Sequence, residues 1–471
     1  MADINFGGLA TGMPTEDLVT SLMAVERRPL DRLEAEKTSE TDRLKAYSQF
    51  NDKLDALRTA VGSLNITSEV RTTSVRLSSE EFITGASSSA NTGSYDIGVK
   101  QLAQVQKDVT AGFSSSTESI LGTGSLTISS QVIAVDSSNN SLEGLMESIN
   151  AVSEQTGVTA SLINDGNDTN NYHLVFTGKD ASTAFSVTPV LLNGAVDFTT
   201  SPVRTAQQAI AYVDGIEVVS NSNTLSGVIA GVTVNLNKEN TMISEGVYET
   251  STLNVEPDTE SLKEKISTFV SGYNSIMEWI SSGYDEINAT TETGTTEKET
   301  SEEESLSSYL RGDATVNSIK RNLQSILSDS VGNSGTFQIL SEIGISTQVD
   351  GSLLLNNSKL DSALESKFED VVKLLAGEDS VDGAMKKFNS YLLDATSASD
   401  GMYAEKRDRY ESSVRRLDDQ IIQKEAMMDK IELRIWSQFN AMELLVSNLN
   451  ATSDYLTQQM DMLANLSSGN N

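Results

Sequence analysis

The 471-residue chain predicts an α+β multidomain protein. Its two ends are expected to form an antiparallel helical, coiled-coil leg, with β-rich domains inserted between them. Three observations carry this expectation. Both ends show long 3.6-residue apolar periodicity with charged outer faces, whereas the middle is rich in Thr, Ser, Val and Gly in short alternating runs. Neither terminal helix can bury its apolar stripe alone, and each Leu or Ile buried in such a seam contributes about 1.5–3 kcal/mol. Pairing the two ends is the economical solution.

At the amino end, Gly7-Gly8-Leu9-Ala10-Thr11-Gly12-Met13-Pro14-Thr15 leads into an amphipathic helix. Pro14 and Thr15 suit a helix entry, and Glu16 and Asp17 favour the positive end of its first turn. Leu18, Leu22 and Val25 follow at i, i+4, i+7 as one apolar face. Pro29 is expected to interrupt this helix, because proline removes a hydrogen bond and crowds the preceding turn. A longer helix then runs from Leu30 to Leu64, roughly 50 Å, with Leu44, Tyr47, Phe50, Leu54, Leu57 and Val61 on its inner face.

Strand character begins near residue 66. Tyr95–Val99, Leu126–Ile128 and Val232–Leu236 alternate as half-buried strands do. The clearest hairpin joins Ala209–Val213 to Ile216–Val219 through Asp214-Gly215, a pair that tolerates positive φ at both turn positions. Between these strands, Leu142, Leu145, Met146 and Ile149 share one helical face. A strand over 157–163, a polar turn over 164–171 and a strand from His173 to Thr177 complete a small helix–strand–turn–strand unit.

After Pro257 the helical period returns at Leu262, Ile266, Phe269, Tyr273, Ile276 and Ile280. Residues 285–304, rich in Glu and Thr, predict a mobile loop. Further helical signals cover 305–329 and 360–375. The last element runs from Met402 past Leu449 without Gly or Pro. Leu417, Ile421, Met428, Ile431, Ile435, Phe439 and Met442 step by three or four along it, with Lys424 filling one seam position. All five prolines are expected at element boundaries.

The domain boundaries expected from these elements are 1–42 and 436–471 as terminal helical segments at the tip of the leg, and 43–66 with 258–435 as a helical bundle. A β-rich domain takes 67–135 and 205–257, and a small α/β module is inserted at 136–204. Gly-rich and Asn/Ser-rich flanks predict poor order for residues 1 to about 40 and about 436–471 in an isolated subunit.

Lys and Arg total 34 against 67 Asp and Glu, a net charge of −33. Each terminal segment, 1–64 and 402–471, carries 8 basic and 11 acidic residues. Each therefore contributes −3, which leaves −27 between them. A basic footprint for nucleic acid is absent, so no nucleic-acid partner is expected. There is no cysteine for disulfides or thiolate metal sites. No run approaches the eighteen or so apolar residues of a membrane span. The amino end also lacks the basic-then-apolar pattern of a cleavable leader, so export would use a route that reads none.

Enzyme signatures are missing: there is no G-x-S-x-G, no phosphate loop, no H-E-x-x-H and no C-x-x-C. The lone histidine, His173, opens a strand and has no sequence context for a triad. Asp165-Gly166-Asn167-Asp168 lacks the spacing and closing glutamate of an EF-hand, and reads as an Asx turn. Catalytic, cofactor-binding and metal-ligating residues are therefore expected to be none. The candidate residues are instead assembly and partner contacts: Leu18, Leu22, Val25, Leu417, Ile421, Met428, Ile431, Ile435, Phe439 and Met442.

Four stretches together resemble the flagellar filament cap family, also called hook-associated protein 2. They are Gly8–Met13 leading to Arg27-Arg28-Pro29-Leu30, Tyr95–Gln106 centred on Gln101-Leu102-Ala103-Gln104, the unit at 141–182, and Ala211–Gly215 through Ser220–Asn223 to Gly227–Thr233. The tail around Leu417-Asp418 and Trp436 is similar to the family's end. The 141–182 unit also resembles a module recurring in flagellar hook and hook-associated proteins. Only the loop at 285–304 falls outside any matched pattern.

The resemblance implies a structural protein with no catalytic residues. It implies export through the flagellar secretion channel and a place outside the cell, at the distal tip of the filament. There a homo-oligomeric ring, with a pentamer favoured, would help each flagellin fold and insert. Flagellin, hook–filament junction proteins and, before secretion, a flagellar export chaperone are the implied partners. Some members of such a family adhere to host mucins, a role no residue here indicates. Competing readings are an extracellular adhesin on a helical stalk, disfavoured by long terminal helices without a leader, and a secreted hydrolase, disfavoured by the missing motifs.

Overall fold

The computed structural model describes residues 12–87, 90–194, 197–291 and 306–468. The glycine-rich start before Gly12, residues 292–305, which include most of the expected loop at 285–304, and the last three residues lie outside that description. The longer helices, in chain order, are α1 (Thr15–Gly62), α2 (Leu142–Ala151), α3 (Thr259–Thr291), α4 (Ala314–Ser328), α5 (Asn357–Leu375), α6 (Ala384–Thr396) and α7 (Met402–Ser468). The chain forms two compact units. Residues up to Thr67 and from Lys263 onward make one, and Ser68–Leu262 makes the other. Among the described residues no helix is long and apolar enough to cross a membrane.

The Ser68–Leu262 unit holds two hydrophobic cores. Its chain enters through β1 (Thr73–Leu77), β2 (Ile83–Ser87) and β3 (Gly93–Gln101). It then builds β4 (Lys107–Thr110), β5 (Thr123–Ile128), β6 (Gln131–Val135), β7 (Val158–Asn164), β8 (Tyr172–Gly178), β9 (Val187–Leu192) and β10 (Thr200–Arg204). It returns through β11 (Ala209–Val213), β12 (Ile216–Ser220), β13 (Thr224–Ile229), β14 (Val232–Leu236), β15 (Met242–Ser244), β16 (Val247–Tyr248) and β17 (Ser251–Pro257).

Sheets ordered β1-β17-β3-β11-β12 and β13-β14-β2 enclose the first core, with Ile97, Val99, Ala211, Val234 and Leu253 buried in it. Asp214 and Gly215 sit at φ 49° and 81°, which permits the tight β11–β12 turn. Sheets ordered β10-β4-β8-β7 and β6-β5-β9 close over α2 in the second core, around Leu126, Leu145, Ile149, Leu174 and Phe176. Ser141 caps α2 by accepting a hydrogen bond from the Gly144 amide at 3.1 Å.

The insert therefore runs from β4 to β10, and not from 136 to 204. All three of β4, β5 and β6 were expected in the larger β domain; β4 instead pairs with β8 and β10, and β5 and β6 contribute Leu126, Ile128, Ile133 and Val135 to the insert's core. Local alternation shows that these runs are strands but not which sheet they join.

In the other unit, α1 carries the central core. Phe50 stacks on Trp279 of α3 at 5.4 Å between ring centroids, and Tyr47 lies 5.6 Å from the Tyr410 ring of α7. Phe269 meets Phe388 of α6 edge-on at 5.4 Å. The expected pairing of 44–64 with part of 402–435 is present, and α3 and α6 join that bundle. Two small hairpins, β18 (Ile345–Thr347) with β19 (Leu353–Leu355) and β20 (Gly377–Glu378) with β21 (Val381–Asp382), flank α5 in sequence.

Several local expectations are corrected. α1 continues through Pro29, because the neighbouring Glu26, Arg27 and Arg28 are exposed and water can satisfy the carbonyl that proline leaves free. Pro189 and Pro202 lie inside β9 and β10, both edge strands, where a missing donor costs no ladder bond. Residues 285–291 finish α3 instead of opening a loop, since extending an existing helix avoids the nucleation cost. The helical signal over 305–329 is broken at Gly312, with φ of 74°, before Asp313 caps α4. Within the expected terminal segments, residues 15–40 and 436–468 are helical, as continuations of long helices that need no new nucleus.

Candidate assembly surface on the terminal helices

α1 and α7 run antiparallel. Lys37 of α1 bridges Asp418 of α7, and ten residues farther along α1, Tyr47 meets Tyr410. At 48 and 67 residues the two helices are roughly 70 and 100 Å long. On α7, Leu417, Met428 and Ile435 are buried, and Ile421, Ile431, Phe439 and Met442 are half-buried. All seven expected seam residues thus lie along one side of α7, with Lys424 half-buried among them.

The α1 side differs from expectation. Leu18, Leu22 and Val25 remain 38, 46 and 56% exposed. The buried side chains are Thr15, Val19 and Leu30, at 2, 3 and 1% exposure. One residue along a helix is a rotation of about 100°, so Leu18 and Val19 lie on different faces. α1 therefore presents two faces, and the one that begins with the smaller Thr15 and Val19 points inward. The stripe of larger residues dominated the periodicity, which is why the inward one was missed.

Beyond the buried Glu443, every described side chain of α7 from Leu444 to Leu463 is exposed except Val446, which is half-buried. Leu444, Leu445, Leu449, Leu456, Met460 and Leu463 are all more than half exposed. Large exposed apolar patches on a folded chain mark contact surfaces. No basic residue follows Arg434, so this surface is apolar with scattered acid.

Where α1 enters the bundle, Asp313 organises a junction of three helices. Its carboxylate accepts from the Thr315 and Val316 amides at 2.8 and 3.1 Å, capping α4. Lys406 of α7 lies 3.8 Å from it and 5.5 Å above the Tyr47 ring of α1. Burial works against its charged form. The Tyr47 hydroxyl, the two amides and Lys406 outweigh that and hold the carboxyl below its ordinary range. Burial, then Asp313, pushes the Tyr47 hydroxyl strongly upward.

His173 lies far along the chain in the insert, against the Thr110 carbonyl and Asp165. Among the described residues no serine is hydrogen-bonded to its ring. Among the described residues no group of three or more His, Cys, Asp and Glu side chains is placed to hold a metal.

Comparison with known proteins returns one family across both ends of the chain. The model of the flagellar hook-associated protein 2 C-terminus matches residues 206–451, and that of its N-terminus matches 11–106. The flagellin hook IN motif matches 125–180, within the insert. The A-type flagellar hook-associated protein 2 of Pseudomonas aeruginosa is 28% identical over 497 residues, spanning 98% of each chain. The flagellar hook-associated protein 2 of Escherichia coli K12 is 27% identical over 494 residues, covering 99% of this chain and 100% of its own. The crystal structure of the D1-D2-D3 domains of the flagellar cap protein FliD from Escherichia coli superposes with a TM-score of 0.57 at 26% identity. It covers 78% of this chain and 99% of its own.

Proposed function

The chain belongs to the flagellar hook-associated protein 2 family, and on that premise we propose that it caps the growing flagellar filament at its distal, extracellular end. The observation that carries the mechanism is the division of apolar residues on the terminal helices. One stripe closes α1 onto α7, and a second, with Leu18, Leu22 and Val25, stays open beside it. Burying a stripe of this kind is the driving force for association. Of the ten candidate contacts, seven hold the helix pair together and these three face outward to a partner.

The outward partner is flagellin, whose insertion the open stripe guides. Self-association into a ring, with a pentamer favoured, positions several such stripes at once, and hook–filament junction proteins provide the base from which growth starts. Export runs through the flagellar channel. Before export, a chaperone covers the exposed apolar residues of α7 that would otherwise aggregate. Residues 1–42 and 436–471 are the part that engages partners, and 43–66 with 258–435 the bundle that carries it. No chemistry is assigned to any residue: the protein works by assembly.

A strain lacking its own cap gene, complemented with this chain, tests the reading. The wild-type chain should restore filaments. The Leu22→Asp/Val25→Asp double variant should keep wild-type helicity and still release flagellin monomers into the medium. Normal filaments with both aspartates in place would remove the open stripe from the mechanism. Sedimentation of the purified chain reads the ring, and a strictly monomeric species at all concentrations would oppose it.

A further inference from the structure

His173 stands at the start of β8, opposite Ile163 of β7. Both of its ring nitrogens face acceptors. Nδ1 is 3.0 Å from the Thr110 carbonyl oxygen, and Nε2 is 3.1 Å from Asp165 Oδ2. A neutral imidazole has one N–H, and its other nitrogen is itself an acceptor. Whichever tautomer formed, one of the two contacts would set lone pair against lone pair. Only the imidazolium can donate at both ends.

We propose that His173 is held as an imidazolium that latches the turn between β7 and β8 onto the end of β4, and that losing its proton releases the turn. The turn is organised around the same carboxylate. Asp165 accepts from the Asn167 amide at 2.9 Å and from the Asn167 side chain at 2.6 Å, while its own amide donates to the Asn171 carbonyl at 2.9 Å. Asn164 Oδ1 accepts from the Gly166 amide at 2.8 Å. The β4 end is equally fixed, because Thr110 Oγ1 accepts from the Leu174 amide at 2.9 Å. Phe113 and Tyr172 exchange backbone hydrogen bonds just beyond. The turn also lies hard against Gly112, where a Cβ would come within 1.9 Å of the Asn170 carbonyl oxygen. The imidazole bridges two prepared surfaces.

Among the described residues Asp165 is the charged group in contact with the ring. Asp168 shares the turn. Lys107 and Asp108 of β4 lie opposite Thr177 and Phe176, three or more residues along β8 from His173. β10 presents Thr200 opposite Thr110, and β7 presents Ile163. The Thr110 carbonyl raises the histidine pKa most; burial opposes it, and Asp165 adds to the rise, so that the net direction is upward. The Asn167 amide, helped by His173, lowers that of Asp165. A raised histidine value means that the latch is complete below the ordinary value and fades as pH rises through the raised one. A lowered carboxylate value means that it is also lost in acid, as pH falls through the lowered value. The latch is closed between these limits and opens on either side.

Because His173 is the lone histidine, the full chain labelled with ¹⁵N-histidine gives the signals of a single imidazole. A pH titration should show the doubly protonated ring persisting above the midpoint measured for the same chain in urea. Asp165→Asn should lower that midpoint. Hydrogen exchange followed by mass spectrometry should show the peptide spanning 164–172 losing protection through the same midpoint, beyond the intrinsic pH dependence, while β5 stays protected. In His173→Gln the turn should show no such break. A folded-state midpoint at or below that in urea would overturn the latch, as would turn exchange that crosses the midpoint without a break.

Discussion

Replacing Ile431 and Ile435 with aspartate tests the α1–α7 seam directly. Ile435 is 9% exposed and Ile431 is half-buried. Burying a whole isoleucine side chain contributes about 1.5–3 kcal/mol, so losing these two contacts removes about 2–4 kcal/mol. Each new carboxylate must also be dehydrated or force the helices apart, which costs several kcal/mol more. Of the seven seam residues of α7 only Leu417, Met428 and Ile435 are buried, so its local opening costs on the order of a few kcal/mol. The two aspartates should therefore open it. Far-ultraviolet circular dichroism should record a loss of helix, and gel filtration a larger apparent size. The Ser68–Leu262 unit, with cores of its own, should stay folded. Cells carrying the variant should shed flagellin and bear short filaments or none. Leu433→Asp is the control, since Leu433 lies between the two on the same helix but is 65% exposed. Its helicity should match wild type. If the seam variant keeps wild-type helicity, or if the control loses as much, the seam does not hold α1 to α7 as described.

Other outcomes follow from the same geometry. Asp313→Ala should destabilise the unit containing α1 and α7 by about 1 kcal/mol through loss of the α4 cap, read by urea titration. Because the Asp313 carboxyl titrates below its ordinary range, that difference should be full at neutral pH and shrink as pH falls through the lowered value. Pro29→Ala should strengthen α1 locally, by up to about 3 kcal/mol, and slow amide exchange over residues 15–30. Chymotrypsin should trim α7 beyond Leu444 before it cuts at 404–435, with intact mass as the readout, because the described side chains from Leu444 to Leu463 are exposed except the half-buried Val446. His173→Ala should leave filament growth and motility intact, and loss of motility in a folded, exported variant would mean that the residue does more than latch a turn.

Much of the architecture was legible because its signals are local. The β11–β12 hairpin needs a turn that accepts positive φ, and Asp214-Gly215 names it. The seam of α7 repeats over several heptads, and each of its seven residues falls on the inward side. The membership of β4, β5 and β6 in the insert was not legible. A strand's sheet partner is set by contacts far along the chain, as when β5 pairs with β9 across some sixty residues. Pro29 misled for a related reason: its local penalty is real, but a 48-residue helix with solvent on that face absorbs it.

The assignment of faces on α1 shows where periodicity stops being informative. A helix with Val19 and Leu30 on one face and Leu18, Leu22 and Val25 on another offers the amphipathic template two readings. Hydrophobicity ranks Leu18 and Leu22 above Thr15 and Val19, so a reading by strength alone turns the wrong face inward. Packing decides otherwise: Thr15 and Val19 are buried, as are Met428 and Ile435 on α7, whereas Leu18 and Leu22 are exposed. The stronger stripe is thereby left in water, at a cost that folding of the single chain does not recover. A sequence that keeps Leu18, Leu22 and Val25 outward while Thr15 and Val19 turn inward is consistent with burial completed by another subunit. That is why the open stripe, and not the closed seam, carries the partner-facing half of the proposed function.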